Sequence, residues 1–235
     1  MIYALADCRI TEDIASSLKK YADDILLLPP HPKLAPPVAS HPDMLLWIYK
    51  STVVTFESYL DIASDVFDKL KRAGHEIRTC DCEPSANYPL DVALNCAVLG
   101  DNIICNKKYV CNTIKNIALE NDIELIHSRQ GYAKCATVTV STNALITADP
   151  SVFKAAVSHG ADALKIREGF VLLDGYDHGF IGGASGVIND SVVFCGYLEL
   201  HPDCEKIVDF CESHGKKVVS LSKSPLYDYG TIFFA

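Results

Sequence analysis

The residues best suited to chemistry in this chain are Cys135, inside the stretch QGYAKCATV, and three carboxylates that recur at related places, Asp43, Asp91 and Asp228. A cysteine acts as a nucleophile only as its thiolate, whereas a free cysteine in apolar surroundings is simply a small hydrophobe. Cys135 therefore has three readings: nucleophile, channel-lining thiol or core. Two or three carboxylates around one small pocket suit a cationic ligand such as a guanidinium or an amine, and their mutual repulsion raises one carboxyl pKa. His41 is the candidate for moving a proton, and Asn95, Lys134 and Ser185 complete the set of candidate pocket residues. A Lys134 ammonium reaching the pocket would favour a zwitterion or lower the thiol pKa.

These residues need elements to bring them together, and a repeat supplies them. Four stretches rich in β-branched residues, Val53 to Phe56, Ile103 to Asn106, Leu145 to Ala148 and Val192 to Cys195, each follow a polar turn (KST, GDN, STN, NDS), which is a hairpin signal. A helical pattern and another strand-like run come next: Asp61 to Ala73, Lys108 to Glu120, Pro150 to His159 and Pro202 to His214. Pro150 and Pro202 suit a first helical turn, and Gly74, Gly160 and Gly215 suit a helix stop. The unit is strand, strand, helix, strand, with starts near His41, Tyr88, Gly131, Gly179 and Leu226, roughly 45 residues apart. The last unit is truncated, and the opening residues supply its missing half: MIYALAD as a strand, a helix from Thr11 to Tyr21, and DILLL as the closing strand. The expected fold is therefore a single α/β domain over residues 1–235, a five-bladed ring of ββαβ repeats with pseudo-five-fold symmetry. Its N- and C-terminal strands share one blade, completed by residues 1–28, so that no edge is left open. PPHPKLAPP, residues 29–37, reads as an extended connection, and FVLLDGY, residues 170–176, as an extra hairpin.

If the first strand of each blade lines a central channel, period-two alternation assigns its faces. Asp91, Ala93 and Asn95 share one face, opposite Val92, Leu94 and Cys96. Cys135 falls with Thr137 and Thr139 on the small, polar face, Asp43 with Leu45 and Trp47, and Ser185 is the nearest equivalent in GGASG. Alternation does not decide between Asp228 and Tyr229 in the last blade. Each candidate also has an ordinary structural role: Asp43 and Asp91 as turn residues bonding local amides, His41 as a turn cap, Cys135 as a small residue in a crowded wall. The glycines of GFIGGASG lack the strand-to-helix context of a dinucleotide fingerprint, and GGASG lacks the glycines of a nucleophile elbow, so no cofactor is expected. Neither Cys80 with Cys82 nor His201 to Cys204 has the paired two-residue spacing of a structural zinc site, so no metal is expected; Cys80 and Cys82 read as surface thiols. Cys8, Cys105, Cys111, Cys195 and Cys211 read as buried.

Composition narrows the class. Nearly half of the 235 residues are apolar, enough for a sizeable core, and a formal charge of −9 argues against a phosphate-backbone partner. Apolar runs such as Ile25 to Leu28 and Val92 to Leu99 fall short of the roughly 18 residues of a membrane span. Ten cysteines scattered through a large domain with no signal segment before them read as reduced thiols in the cytoplasm. The expected partner is a small molecule in the channel, with a homodimer allowed and neither nucleic acid nor membrane involved.

A ring of five such units resembles the pentein, or α/β-propeller, superfamily of guanidino-group-modifying enzymes, which includes arginine deiminases, dimethylarginine dimethylaminohydrolases and amidinotransferases. The segments HPDMLLW, YPLDVALNCAV, QGYAKCATV, YDHGFIGGASG and SPLYDYG are similar to those of a bacterial family of that fold, and the likeness runs through the whole chain. The resemblance implies a channel in which a cysteine thiolate attacks a guanidinium carbon, a histidine moves protons and paired carboxylates hold the cation, a thiol-dependent hydrolase or transferase. It also puts the nucleophile in the last blade, near the C-terminus, where this chain reads YDYGTIFFA and has no cysteine. The competing expectation is a non-catalytic member that binds a small molecule or a protein.

Overall fold

Polar turns fold the apolar runs into hairpins because the chain reverses at residues that adopt the left-handed region: Lys50 at φ 52°, Gly100 at φ 59° and Asn189 at φ 49°. A computed structural model describes residues 1–235. The chain opens with β1 (Tyr3–Asp7), which crosses over through α1 (Glu12–Leu18) to β2 (Asp24–Leu28), parallel to β1. After a short helical turn α2 (Pro42–Leu45) come β3 (Leu46–Tyr49), β4 (Thr52–Thr55), α3 (Glu57–Ile62), α4 (Ser64–Arg72) and β5 (Glu76–Thr79). The next unit is β6 (Ala97–Leu99), β7 (Asn102–Cys105), α5 (Asn112–Glu120) and β8 (Glu124–His127). It is followed by β9 (Thr137–Ser141), β10 (Ala144–Thr147), α6 (Pro150–Ser158) and β11 (Asp162–Lys165). The chain ends with β12 (Ser185–Ile188), β13 (Ser191–Phe194), α7 (Cys204–Ser213), β14 (Lys217–Ser220) and β15 (Phe233–Phe234).

The result is five three-stranded sheets of one pattern, β3-β4-β5, β6-β7-β8, β9-β10-β11, β12-β13-β14 and β15-β1-β2. In each, the first strand is antiparallel to the middle one and the third is parallel to it, as in Ile48 opposite Val53 and Val53 opposite Ile77. A parallel partner needs a crossover, which is why a helix separates those two strands. The middle strands are buried on both faces, and this explains their runs of apolar and β-branched residues. The helices bury one stripe each, Val66, Phe67 and Leu70 on α4 and Val152, Ala155 and Ala156 on α6. Asp149 caps α6, accepting from the amides of Ser151 and Val152 at 2.8 and 2.9 Å. As the sequence predicts, the C-terminal segment pairs with β1: Ala4 faces Phe234 and Leu5 faces Phe233. No helix is long and apolar enough to cross a membrane.

Several elements differ from expectation. The helix expected over 61–73 is two helices broken at Ala63, and the one expected from Lys108 starts at Asn112 because Asn106 folds the preceding residues into a turn. Residues 170–176 form no hairpin; Leu172 bridges instead to Tyr227, accepting from the Asp228 amide and donating to Leu226. Cys80 is buried and Cys8 is exposed, the reverse of their sequence readings. The most consequential difference lies before the first strands. Residues 92–95, 132–136 and 180–184 close single turns, with amides of Asn95, Ala136 and Ala184 donating to Val92, Tyr132 and Phe180, and α2 is a fourth such turn. Asp43, Asp91, Asn95 and Cys135 sit in or beside these turns, so period-two alternation does not govern where they point.

Candidate functional site

The turns ahead of β3 and β9 converge with the segment before β15 on a cavity of 140 Å³. Its polar wall is His41, Cys135, Asp228, His178 and Tyr132, and Val38, Met44, Leu173 and Phe180 close it on the apolar side. Asp228 is held by its backbone, with its amide donating to Leu172 and the Tyr229 amide to Gly183. Its carboxylate accepts from the amides of Phe180 at 2.8 Å and Gly230 at 2.9 Å. The fit explains a glycine: a Cβ on Gly183 would collide with Asp228 Oδ1. Burial first, and then the nearby Asp43 charge, push the Asp228 carboxyl up to about 7 despite those two hydrogen bonds.

His41 precedes α2 and caps nothing. Its ring is wedged between two carboxylates, Nδ1 at 3.8 Å from Asp228 and Nε2 at 3.9 Å from Asp7, both too long for hydrogen bonds. Nε2 is buried without a partner. Burial, aided by the Arg9 charge, lowers its pKa to about 3, so the imidazole is neutral. Asp7 is already engaged by the Arg9 guanidinium, which reaches it from Nη2 at 2.5 Å.

Cys135 is fixed by Asn95. The Asn95 carboxamide oxygen accepts from the amides of Lys134 and Cys135 at 2.8 and 3.1 Å, while Nδ2 donates to Cys135 Sγ at 3.0 Å and to the Asp43 carbonyl at 3.1 Å. Burial raises the thiol pKa well above its ordinary value, and the Asp43 and Asp228 charges add to the rise; Asn95 offsets only part. The resting group is a protonated thiol.

Behind Cys135 lies a closed polar relay. Thr231 Oγ1 donates to Asp43 Oδ2 at 2.9 Å and stands 3.0 Å from Lys134 Nζ, which also donates to the Thr137 carbonyl at 3.3 Å. Asp43 Oδ1 has no partner, and burial raises the Asp43 pKa while Lys134 opposes the rise. Burial likewise lowers the Lys134 pKa. On the far side of this relay is a second cavity of 200 Å³ lined by Lys134, Thr231 and Ser185 with Trp47, Cys96 and Phe233.

Of the residues singled out from sequence, the structure thus brings His41, Cys135 and Asp228 to one cavity, with Asn95 and Asp43 directly behind Cys135. Lys134 and Ser185 face the opposite cavity, and Ser185 Oγ is spent on the Gly182 carbonyl. Asp91 lines neither; it accepts from the Tyr132 hydroxyl at 2.6 Å, and its other oxygen is unpartnered. In the last segment Asp228 points to the cavity and Tyr229 packs among Ala4, Cys195 and Leu221. Sequence reasoning missed His178, Tyr132 and Thr231. Their signal was present: His178 and Tyr132 each stand within a few residues of a repeat start. The trio of clustered metal-ligating atoms, from Cys80, Asp81 and Cys111, lines neither cavity.

No curated protein matches the sequence. Among solved structures, the chain is similar to a dimethylarginine dimethylaminohydrolase in adduct with S-methyl-L-thiocitrulline, at 9% identity and a TM-score of 0.60 over 94% of this chain and 91% of that one. It is also similar to agmatine deiminase from C. jejuni, at 9% identity and a TM-score of 0.55 over 94% and 87% of the two chains. A third similar structure is an amidinotransferase of saxitoxin biosynthesis from Microseira wollei, at 12% identity and a TM-score of 0.51 over 85% and 70%. All three are pentein-fold enzymes, and at identities this low the likeness shows the fold, as expected, and nothing further. Residues 5–233 match the profile described as "Family of unknown function (DUF6873)", and the chain belongs to that family.

Proposed function

We propose that the chain binds the cationic head of a small guanidino or amine compound in the 140 Å³ cavity, with Asp228 as its counter-ion and Asp43 as a second negative charge behind the wall. The observation that carries this reading is the Asp228 carboxylate: buried, aimed into the cavity, held by two amides and paired with no Lys or Arg. A cation entering beside it would ionise Asp228 and recover the electrostatic cost of its burial. The volume is below the roughly 300 Å³ at which drug-sized sites begin, so the head group is small. The enzyme neighbours are proteins that act on guanidino compounds by their names, which is consistent with this chemistry.

A second reading, thiol-dependent hydrolysis or transfer, is favoured by Cys135 in the same wall. Without ligand the thiol is protonated, but a bound guanidinium would sit beside the sulfur and lower its pKa. The thiolate would then attack the guanidinium carbon, an amine would leave with a proton, and water or a second amine would take the amidino group from sulfur. Neutral His41 is the proton-transfer candidate, with His178 in the same wall.

The five sheets are read here as blades of a single-domain α/β propeller with pseudo-five-fold symmetry, closed by the shared terminal sheet. Contacts of β6 with β9, β9 with β12 and β12 with β15 support it, as does the cavity that Trp47 and Ile48 share with Phe233.

The test is a thermal-shift screen of the full chain with arginine, agmatine, methylguanidine and simple amines at pH 8. Stabilisation by at least one, lost in Asp228→Asn and retained in Cys135→Ser, is the expected result. No stabilisation by any of them overturns the binding reading. Catalysis is read separately, as product formation or a mass adduct on Cys135 that Cys135→Ser abolishes.

A further inference from the structure

The C-x-C pair Cys80 and Cys82 follows β5, and its spacing alone does not make a zinc motif. The fold supplies what the sequence separates. The loop after β5 is clamped to the start of α5: Asp81 accepts from the Asn112 amide at 2.8 Å and from Asn112 Nδ2 at 2.7 Å, and Thr113 Oγ1 donates to the Thr79 carbonyl at 2.9 Å. That clamp brings in Cys111, the residue preceding α5, whose backbone is itself tied to the Ala93 carbonyl at 3.1 Å. Ligating atoms of Cys80, Asp81 and Cys111 all lie within 4.8 Å of one another, and Cys82 Sγ is 3.4 Å from Cys80 Sγ.

We propose that Cys80, Cys82 and Cys111, with the Asp81 carboxylate, form a binding site for Zn²⁺. Three sulfurs and one oxygen are a donor set that zinc takes in tetrahedral geometry. Zinc–sulfur bonds of about 2.3 Å set tetrahedral sulfur separations of roughly 3.8 Å, close to the spacing already present. The exposed Cys82 side chain is free to rotate into place, whereas Cys80 and Cys111 are buried and fixed. An entry path exists: Asp81, Cys82 and Cys111 line an open surface pocket of 300 Å³. The clamp between the loop after β5 and the start of α5 holds Cys80, Asp81 and Cys111 together before the metal arrives. Bound zinc would staple two consecutive repeat units along their outer side. On binding, the thiols pass their protons to solvent as the Zn–S bonds form, so affinity rises with pH.

The test is a titration of the reduced full chain with Co²⁺ as a spectroscopic probe, followed by displacement with Zn²⁺. The expected result is one-to-one binding with thiolate-to-cobalt charge-transfer absorption, reversed by Zn²⁺, and a melting temperature raised by Zn²⁺. Cys82→Ser, at an exposed position where folding is not at stake, should weaken Zn²⁺ by at least about tenfold. Cys111→Ser should weaken the charge-transfer band, and Cys204→Ser should leave all readouts unchanged. Absence of the band in the wild-type chain overturns the proposal. So does Zn²⁺ affinity in Cys82→Ser equal to that of the wild type, or a disulfide between these cysteines in protein purified without reductant and resistant to thiol reagents.

Discussion

Burial moves two of the titratable groups of the cavity wall in opposite directions, Asp228 up to about 7 and His41 down to about 3. The folded state therefore holds the Asp228 proton more tightly than the unfolded chain, whose carboxyl titrates near 3.8. Its contribution to stability is complete below about pH 4 and is lost as pH rises through 7. His41 works the other way: its neutral form is favoured by folding, so its contribution is present above 6.5 and lost as pH falls toward 3. The two slopes oppose each other between about pH 4 and 6.5, and the Asp228 slope is isolated by difference. Lowering the pH from 7.5 to 5 should stabilise the wild type relative to Asp228→Asn by on the order of 3 kcal/mol, as read from urea unfolding at each pH. A pH-independent difference would mean that Asp228 titrates normally. Cys135 carries a second prediction at this scale. Without ligand it should alkylate far more slowly than exposed Cys8 at pH 8, and a bound guanidinium compound too small to cover the sulfur should accelerate it. Peptide mapping of the alkylated chain gives both rates, and a Cys135 rate matching that of Cys8 in the free protein would show a standing thiolate instead.

At the scale of elements, the site is made by turns rather than strands. Four short helical turns deliver Asp43, Asn95, Cys135 and Gly183 to the centre, and each is closed by one or two backbone hydrogen bonds. Such turns tolerate little added bulk where they meet. Gly183→Ala forces a Cβ into Asp228 Oδ1 and should cost roughly 1–3 kcal/mol while displacing the carboxylate from the cavity. The variant is expected to melt lower than the wild type and to lose stabilisation by guanidino ligands. A full ligand response in Gly183→Ala would remove Asp228 from the binding role.

At the scale of the molecule, the terminal sheet ties the two ends of the chain together. Tyr3 and Ala235 exchange two backbone hydrogen bonds at 2.8 and 3.0 Å, and Phe233 and Phe234 pair with β1 along its edge. Deleting residues 233–235 should lower the unfolding free energy by on the order of 2–4 kcal/mol, visible as an earlier urea midpoint. An unchanged midpoint would mean that β1 is held by β2 alone.

The repeat was legible in the sequence because a sheet with a buried middle strand demands a run rich in apolar and β-branched residues, a hairpin turn before it and a helix after it. Those demands are local and recur at Val53, Ile103, Leu145 and Val192. The shared terminal sheet was legible for the same reason, since MIYALAD and IFFA are each half of a recognisable unit. Asp43, Asp91 and Cys135 were legible as repeat-equivalent positions, but strand alternation did not place them, because they lie in or beside turns of helical geometry. Whether Lys134 faces the same cavity as Cys135, whether Asp91 binds through space or through Tyr132, and whether Cys111 meets Cys80 depend on how separate units pack. Sequence determined the units because hydrogen bonding and burial within each are short-range. Only tertiary structure decided the site, because its contacts join residues as distant as Asp43 and Thr231, whose pairing no local pattern encodes.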